Sequence, residues 1–407
     1  MTAHPSRPLR ILHVTPYSAE AWAYGGIPRL AATLTRGLAR RGHQVTVCTT
    51  DVCNAMSRLS PREGQLARRA WPARWTHDRV EIRVFPNVSN RLAYHCKAFL
   101  PIGLQSYMRQ HAAAFDVAHL HACRNLPGVI AARHLQRHRI PYVLAPNGTA
   151  PRIERLRVVK RAFDAAVGQR IIDRADRVLA VSDTEQRDLA ALGVAASAIA
   201  LIPNPVDLDE FAKPVERGRF RTQHSLGSEP LILFLGKLTP RKRVDVLIRA
   251  FSQLRLANAR LVIAGNDMGS RAPAEALVHS LGLREQTLFT GLLTGPQRLE
   301  ALSDADVVVY PSEHEIFGLV PLEAMLSGTP VIVADDSGCG AIVGALRGGQ
   351  VVPLGSAEAL AAAIRRVFDA PAVWRELATE SQGQIRRAYG DDAVCAELEA
   401  LYLGLVA

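Results

Sequence analysis

Cysteine is scarce in this 407-residue chain, and its six copies are scattered. No two of Cys48, Cys53, Cys96, Cys123, Cys339 and Cys395 lie at metal-ligand spacing. That excludes a disulfide framework and a zinc ribbon, and it reads as the reduced thiols of a cytoplasmic protein. No stretch reaches the roughly 20 uninterrupted apolar residues of a membrane span. The opening MTAHPSRPLRILHV lacks the apolar core and cleavage site of a secretion signal, so the expected location is the cytoplasm. The G-x-G-x-x-G dinucleotide fingerprint is missing, which argues against a nicotinamide enzyme. The Asp-x-Asp at Asp304 to Asp306 leads into a strand and reads as structural, so no metal site is expected.

Acidic residues are also in short supply: 38 against 49 lysines and arginines, a net charge of +11. Residues 58–74 hold five arginines and one acid, Glu63. Residues 152–174 hold seven basic residues against Glu154, Asp164 and Asp173. Solvated helix faces explain such clusters, as does contact with an anionic membrane surface or a lipid phosphate. Nucleic acid is not an expected partner, because no helix-turn-helix, zinc or RNA-binding signature accompanies the charge.

What the chain has is alternation. Apolar runs at 9–14 and 44–49 read as buried strands, and Leu30, Leu34 and Leu38 between them mark one face of a helix. Runs at 80–85, 116–120, 140–144 and 177–181 continue the series. The polar, Gly- and Pro-punctuated stretch 199–228 reads as the segment between domains. Strands resume at 231–235, 261–264, 307–310, 330–334 and 351–353. The expected class is therefore α/β, with two doubly wound domains, each a parallel sheet covered on both faces. Such sheets bind ligands at the carboxyl ends of their strands.

Four segments carry chemistry. In PSEHEIFGLVPLEAMLSGTPVI (311–332), Glu315 precedes a turn at Phe317-Gly318, and Glu323 sits inside the helix that follows. Both glutamates are expected to face one crevice. A helix start at Leu319 offers free N–H groups to a diphosphate. Glu323 can accept two ribose hydroxyls, and Glu315 can do the same for a sugar ring. In GKLTPRKRVDVLIRAF (236–251), the strand-to-helix turn gathers Lys237, Arg241, Lys242 and Arg243, cations suited to a departing diphosphate. Gly25-Gly26 opens the first helix, where small residues let a backbone approach a ligand. In FDVAHLHACRN (115–125), His121 falls at a strand's carboxyl end, and His119 lies deeper on the same side.

The string around Glu315 and Glu323 resembles the signature of retaining glycosyltransferases of family 4, which have the GT-B fold. The likeness is dense over 231–353 and looser over 9–205. It implies two Rossmann-like domains facing a cleft: residues 1–209 for the acceptor, 210–385 for the nucleotide-sugar, and a C-terminal helix at 386–407 packed back on the first domain. By resemblance Glu315, Lys242 and His121 are the catalytic group. Lys237, Glu323, Gly318, Phe317, Leu319, Gly26 and Gly25 are implied at the donor, and Asn147 and Gly148 in the acceptor-side loop. The family usually has Gly-Arg where this chain has Gly236-Lys237, and Gly where it has Arg243. Residues 337–344 would flank the nucleotide, although relatives carry Pro-Glu near Gly340-Ala341. The implied reaction moves a sugar from a UDP- or GDP-linked donor, without cofactor or metal, to a glycan or lipid-linked acceptor in cell-surface polysaccharide or glycolipid synthesis. The donor phosphate takes the acceptor's proton, so the glutamates position rather than hydrolyse. The alternatives are a nucleotide-sugar epimerase and a non-catalytic nucleotide-sugar-binding protein.

Overall fold

The computed structural model describes residues 7–59, 73–151, 161, 163–213, 215–256 and 258–407. Much of both basic clusters, at 60–72 and 152–160, lies outside the described residues.

The chain divides into two compact units, Met1–Pro205 with Asp391–Ala407, and Val206–Gly390. The first is built on an eight-stranded sheet in the order β3-β4-β2-β1-β5-β6-β7-β8. Its strands are β1 (Arg10–Val14), β2 (Gln44–Thr50), β3 (Ala73–His77), β4 (Val80–Phe85), β5 (Val117–His121), β6 (Tyr142–Ala145), β7 (Arg177–Ala180) and β8 (Ile199–Leu201). All pairings are parallel except β3 with β4. The pleat sends Leu12, Val14, Ala118 and Leu120 to one face, and Ile11, Val117 and Val143 to the other.

The first face is covered by residues such as Leu104 and Met108, and Ala131 and Leu135. They belong to the helices Leu104–His111 and Leu126–Arg137. The second face takes Leu30, Leu34 and Leu38 of the helix Gly26–Arg40, with Val394, Leu398 and Tyr402 of the last helix, Asp391–Val406. The last helix therefore belongs to the first unit. The two helices approach so closely that a Cβ on Gly37 would lie 2.4 Å from Cys395 Sγ.

The second unit is a six-stranded parallel sheet, β11-β10-β9-β12-β13-β14. Its strands are β9 (Leu231–Leu235), β10 (Arg260–Ala264), β11 (Thr287–Gly291), β12 (Val307–Tyr310), β13 (Val331–Ala334) and β14 (Gly349–Val352). Every side chain of β9, β12 and β13 is buried, as a strand covered on both faces requires.

The stretch 199–228 is more ordered than a linker. It supplies edge strand β8 and the helix Arg219–Gln223, whose Phe220 is fully buried. Asp304 and Asp306 hold that helix in place. Asp304 accepts the N–H groups of Gly218 and Arg221, and Asp306 accepts from the guanidinium groups of Arg221 and Arg375.

Candidate active site

Apart from the antiparallel β3–β4 edge, each sheet reverses its strand order once, between β1 and β5 in the first unit and between β9 and β12 in the second. A doubly wound sheet opens its ligand crevice at that reversal, beyond the carboxyl ends of the strands. The side chains at the two points differ in kind.

In the second unit the turn after β9 runs through a 3-10 turn, Pro240–Lys242, to Arg243, whose left-handed backbone (φ 49°) precedes the helix Val244–Leu254. This coil turns Lys242 inward, where it is 5 % exposed. Its Nζ donates to Tyr310 Oη and to Glu315 Oε2, and lies 4.3 Å from the Tyr310 ring centroid. The Tyr310 hydroxyl also donates to Glu315, at 3.3 Å. Burial pushes the Glu315 carboxyl up, but Lys242 and Arg241 outweigh it and hold it below the usual carboxylate range. Burial drives the Tyr310 hydroxyl well above its ordinary value, with the Glu315 charge adding to it.

The Glu315 carbonyl accepts from Ser337 Oγ at 2.8 Å and from the Cys339 N–H at 2.9 Å. The segment 337–344 thus holds the backbone that carries Glu315. The helix Leu319–Leu326 starts from Gly318 in the left-handed region (φ 81°) without a side-chain cap. Its first turn keeps its N–H donors, Pro321 excepted. Gly318 is required there, since a Cβ would meet Cys339 Sγ at 2.5 Å.

In the first unit three buried histidines meet at the reversal. His13 ends one residue short of the tip of β1, and His119 and His121 alternate along β5. His13 Nδ1 and His121 Nε2 share a hydrogen bond of 3.0 Å, and His119 Nδ1 faces Tyr402 Oη at 2.6 Å. Burial holds all three below the ordinary histidine range, His121 at about 3, so they are neutral.

Among the described residues this is the one group placed to hold a metal ion. The His13 and His121 centroids lie 5.2 Å apart, nearly as far as an N···N contact of 3.0 Å allows. Those rings therefore meet edge to edge with the hydrogen bond between them, and His119 stacks against both, 4.9 Å from His13 and 4.3 Å from His121. One ring's N–H points at the other's lone pair, so a proton and not an ion occupies the line between those two nitrogens.

Two family models match the chain: "Glycosyltransferase Family 4" over residues 24–210 and "Glycosyl transferases group 1" over 216–384. A D-inositol 3-phosphate glycosyltransferase of Actinosynnema mirum is 31 % identical over 322 residues, covering 75 % of this chain and 76 % of that protein. The chain belongs to glycosyltransferase family 4.

Its fold is GT-B. The sucrose-phosphate synthase of Thermosynechococcus elongatus superposes with a TM-score of 0.76 at 22 % identity, covering 97 % of this chain and 98 % of that one. Anabaena HepE in complex with UDP-glucose gives 0.72 at 18 % identity, covering 97 % and 100 %.

Within this glycosyltransferase the structure brings together Lys242 and Glu315, and adds Tyr310. It does not bring the two glutamates to one open crevice. Glu323 is 1 % exposed and turns to Arg298. Phe317 is packed edge-on against Tyr389, 5.6 Å between centroids, so a ligand could meet only its backbone. Lys237 is half-buried directly after β9, and Leu319 is half-buried at the helix start.

In the first unit Gly25 (φ 94°) precedes the helix Gly26–Arg40, which also lacks a side-chain cap, and Gly26 is exposed. Asn147 sits in the left-handed region (φ 51°), with Oδ1 buried and unpartnered. The Gly148 N–H is not open to an acceptor, because it donates to Glu185 Oε1 at 2.6 Å.

Sequence reasoning missed Glu185. It is fully buried, and its second oxygen accepts the Val181 N–H at 3.0 Å. Burial pushes its carboxyl up to about 7, although the two N–H donors oppose the shift. The signal was Ser182 followed three residues later by Glu185, the pattern of a helix N-terminus.

Proposed function

We propose that this enzyme takes a sugar from a UDP- or GDP-linked donor and transfers it, with retention and without a metal ion, to a hydroxyl of a glycan or lipid-linked acceptor. The observation that carries the reading is the buried Lys242–Glu315 pair at the reversal of the second sheet. A buried charge is costly unless paired, and the pair stands where a ligand crevice is expected. A departing diphosphate needs positive charge that is already oriented. Lys242, with Lys237 and the N–H groups after Gly318, supplies it in place of a metal. Glu315 is released to the sugar as the diphosphate engages Lys242. The complex of HepE with UDP-glucose favours a uridine donor.

The acceptor falls to the first unit, whose neutral His121 can exchange a hydrogen bond with a hydroxyl. The relatives named for D-inositol 3-phosphate act on a phosphorylated polyol, and the basic first half suits a phosphate or an anionic lipid surface. We place the enzyme on the cytoplasmic side in cell-surface polysaccharide or glycolipid synthesis, touching the inner membrane face peripherally. No helix among the described residues is long and apolar enough to cross a membrane.

A thermal-shift panel of UDP-, GDP- and ADP-sugars tests the donor. A ligand at a hundredfold its dissociation constant adds about 2.7 kcal/mol. Absence of any shift across the panel would refute the reading. Flotation with and without anionic lipid tests the surface contact, which fails if no salt-sensitive binding is seen.

A further inference from the structure

Large apolar side chains stand in water at few places on the first unit. Seven described residues do so, and four of them, Met56 (79 % exposed), Ile102 (58 %), Val88 (56 %) and Leu92 (45 %), come from neighbouring segments. The other three, Leu126, Leu201 and Val406, lie on separate elements. Scattered exposed apolar residues are ordinary, but a group of them marks a contact surface.

Hydrogen bonds hold the four together. Asp51 accepts from Arg58 through one oxygen and from the Asn87 N–H through the other, which joins the turn after β2 to the stretch after β4. Asn87 bridges Pro101 in an antiparallel pair. The Val88 N–H donates to the Leu100 carbonyl, and the Ile102 N–H to the Pro86 carbonyl. That register puts Val88 and Ile102 on one face. Asn90 Nδ2 donates to the Ser57 carbonyl at 2.9 Å, which sets Met56 beside the start of the helix Asn90–Cys96. The helix packs Ala93 into a small cluster with Tyr24, Val52 and Phe99. Its other side exposes Arg91 with His95, and Leu92 with Cys96, each pair four residues apart. A basic stripe thus runs beside an apolar one.

Charge selects the partner. No acidic residue occurs between Glu81 and Asp116, whereas Arg83, Arg91, Lys97 and Arg109 do. Arg58, Arg91 and Lys97 are exposed, and Lys97 Nζ lies over the rings of Tyr24 and Tyr94 at 4.8 and 5.6 Å. Of the acids nearby, Asp51 is buried and Glu20 stands close to Cys53. Short apolar tips among cations suit the headgroup layer of an anionic leaflet, where the tips reach acyl chains and the cations meet phosphates. A protein partner would instead favour a contact core depleted of charge. The placement also bears on the acceptor. β2, β4 and β5 run parallel, so the segments after β2 and β4 emerge at the sheet edge where β5 ends in His121.

We infer that the surface built from residues 54–58, 88–97 and 100–102 docks this enzyme on an anionic membrane, and so brings a lipid-linked acceptor to the edge that carries His121. The inference rests on the reading of the enzyme as a peripheral membrane protein, and adds to it which residues meet the lipid.

The test is flotation of the full chain with phosphatidylcholine vesicles, plain or with about 40 mol % phosphatidylglycerol. The parent is expected to bind the anionic vesicles at least about tenfold more tightly, and to lose most of that preference in about 0.5 M salt. Met56→Ser/Leu92→Ser/Ile102→Ser should weaken binding about tenfold, and Arg91→Glu/Lys97→Glu about 10- to 100-fold. Val373→Ser removes a comparably exposed apolar side chain from the second unit and should stay within about twofold. Thermal melting checks that each variant is folded. Should the triple variant fail to fold, Ile102→Ser alone carries the apolar arm, with an expected loss of about threefold.

No flotation of the parent at low salt refutes the membrane reading itself. If the parent floats and both multiple variants float equally well, that reading stands and this surface is overturned. Equal binding to plain and anionic vesicles overturns the choice of an anionic partner. A parent that sediments as a dimer, with the triple variant a monomer, assigns the surface to a second copy of the chain and overturns the inference as well.

Discussion

The reversal points of the two sheets solve the same problem in opposite ways. The first unit buries three neutral imidazoles, each with one ring nitrogen paired, to the other histidine or to Tyr402, and the other nitrogen buried without a partner. The second buries charge, with Lys242 against Glu315 and Arg298 against Glu323 and Glu210. A neutral cluster suits a neutral hydroxyl, and a set of ion pairs suits a ligand able to exchange charge for charge. The contrast is what the proposed division of labour between acceptor and diphosphate donor requires.

Acid should separate the units most strongly. His13, His119 and His121 have folded pKa values below the ordinary 6.5. They cost nothing above pH 6.5, where both states are neutral, and the cost grows as pH falls toward about 3 for His121. Each histidine contributes up to about 1.4 kcal/mol per pH unit in that window. Glu185 works in the other direction. With its pKa raised from 4.5 to about 7, its cost is present above pH 7 and is relieved as pH falls toward 4.5.

Denaturant titrations at pH 7 and 5 should therefore show a loss of several kcal/mol, on the order of two net protons taken up on unfolding. His119→Gln should flatten that slope and Glu185→Gln should steepen it. An unchanged slope in His119→Gln would remove the neutral-cluster half of the comparison.

The charged half should respond next. Lys242→Met is expected to lower turnover of the nucleotide-sugar by about 100- to 1,000-fold, the usual effect of removing an oriented charge stabiliser. Rates within tenfold of the parent would show that the buried lysine serves folding only. Tyr310→Phe removes one hydrogen bond to Lys242 and should cost about two- to tenfold in kcat. His121→Asn should show a loss of similar size, placed in KM for the acceptor, with donor affinity unchanged. A shift in donor affinity there would blur the division between the units. The smallest effect is expected for Lys237→Arg, which installs the residue the family usually has. Rates should stay within about threefold, with a modest gain if a two-pronged contact to phosphate can form.

Much of this was legible in the chain. Long apolar runs marked β9 and β12, which are buried on both faces. Edge strands β8 and β11 left no such mark. Each has only one neighbour and stays largely half-exposed; β11 reads Thr-Leu-Phe-Thr-Gly without an apolar run, and β8 is apolar but only three residues long. Lys242 and Glu315 could be named because the turn and the loop that carry them are local motifs. Tyr310, Arg298, Glu185 and His13 could not, because a polar residue takes its role from the partner it finds. Lys242 lies 73 residues from Glu315, Arg298 lies 88 from Glu210, and His13 lies 108 from His121.

By its own pattern the chain determined two α/β units built on largely parallel sheets and the local turns that carry Lys242, Glu315 and the helix start at Gly318. Periodicity and turn chemistry act over a few residues and need no distant partner. Only the tertiary structure decided that Glu323 faces Arg298, that the Gly148 N–H is taken by Glu185, and that three histidines meet in the interior. Burial makes each of those groups find a partner, and which partner is within reach depends on how the sheets bring remote segments side by side.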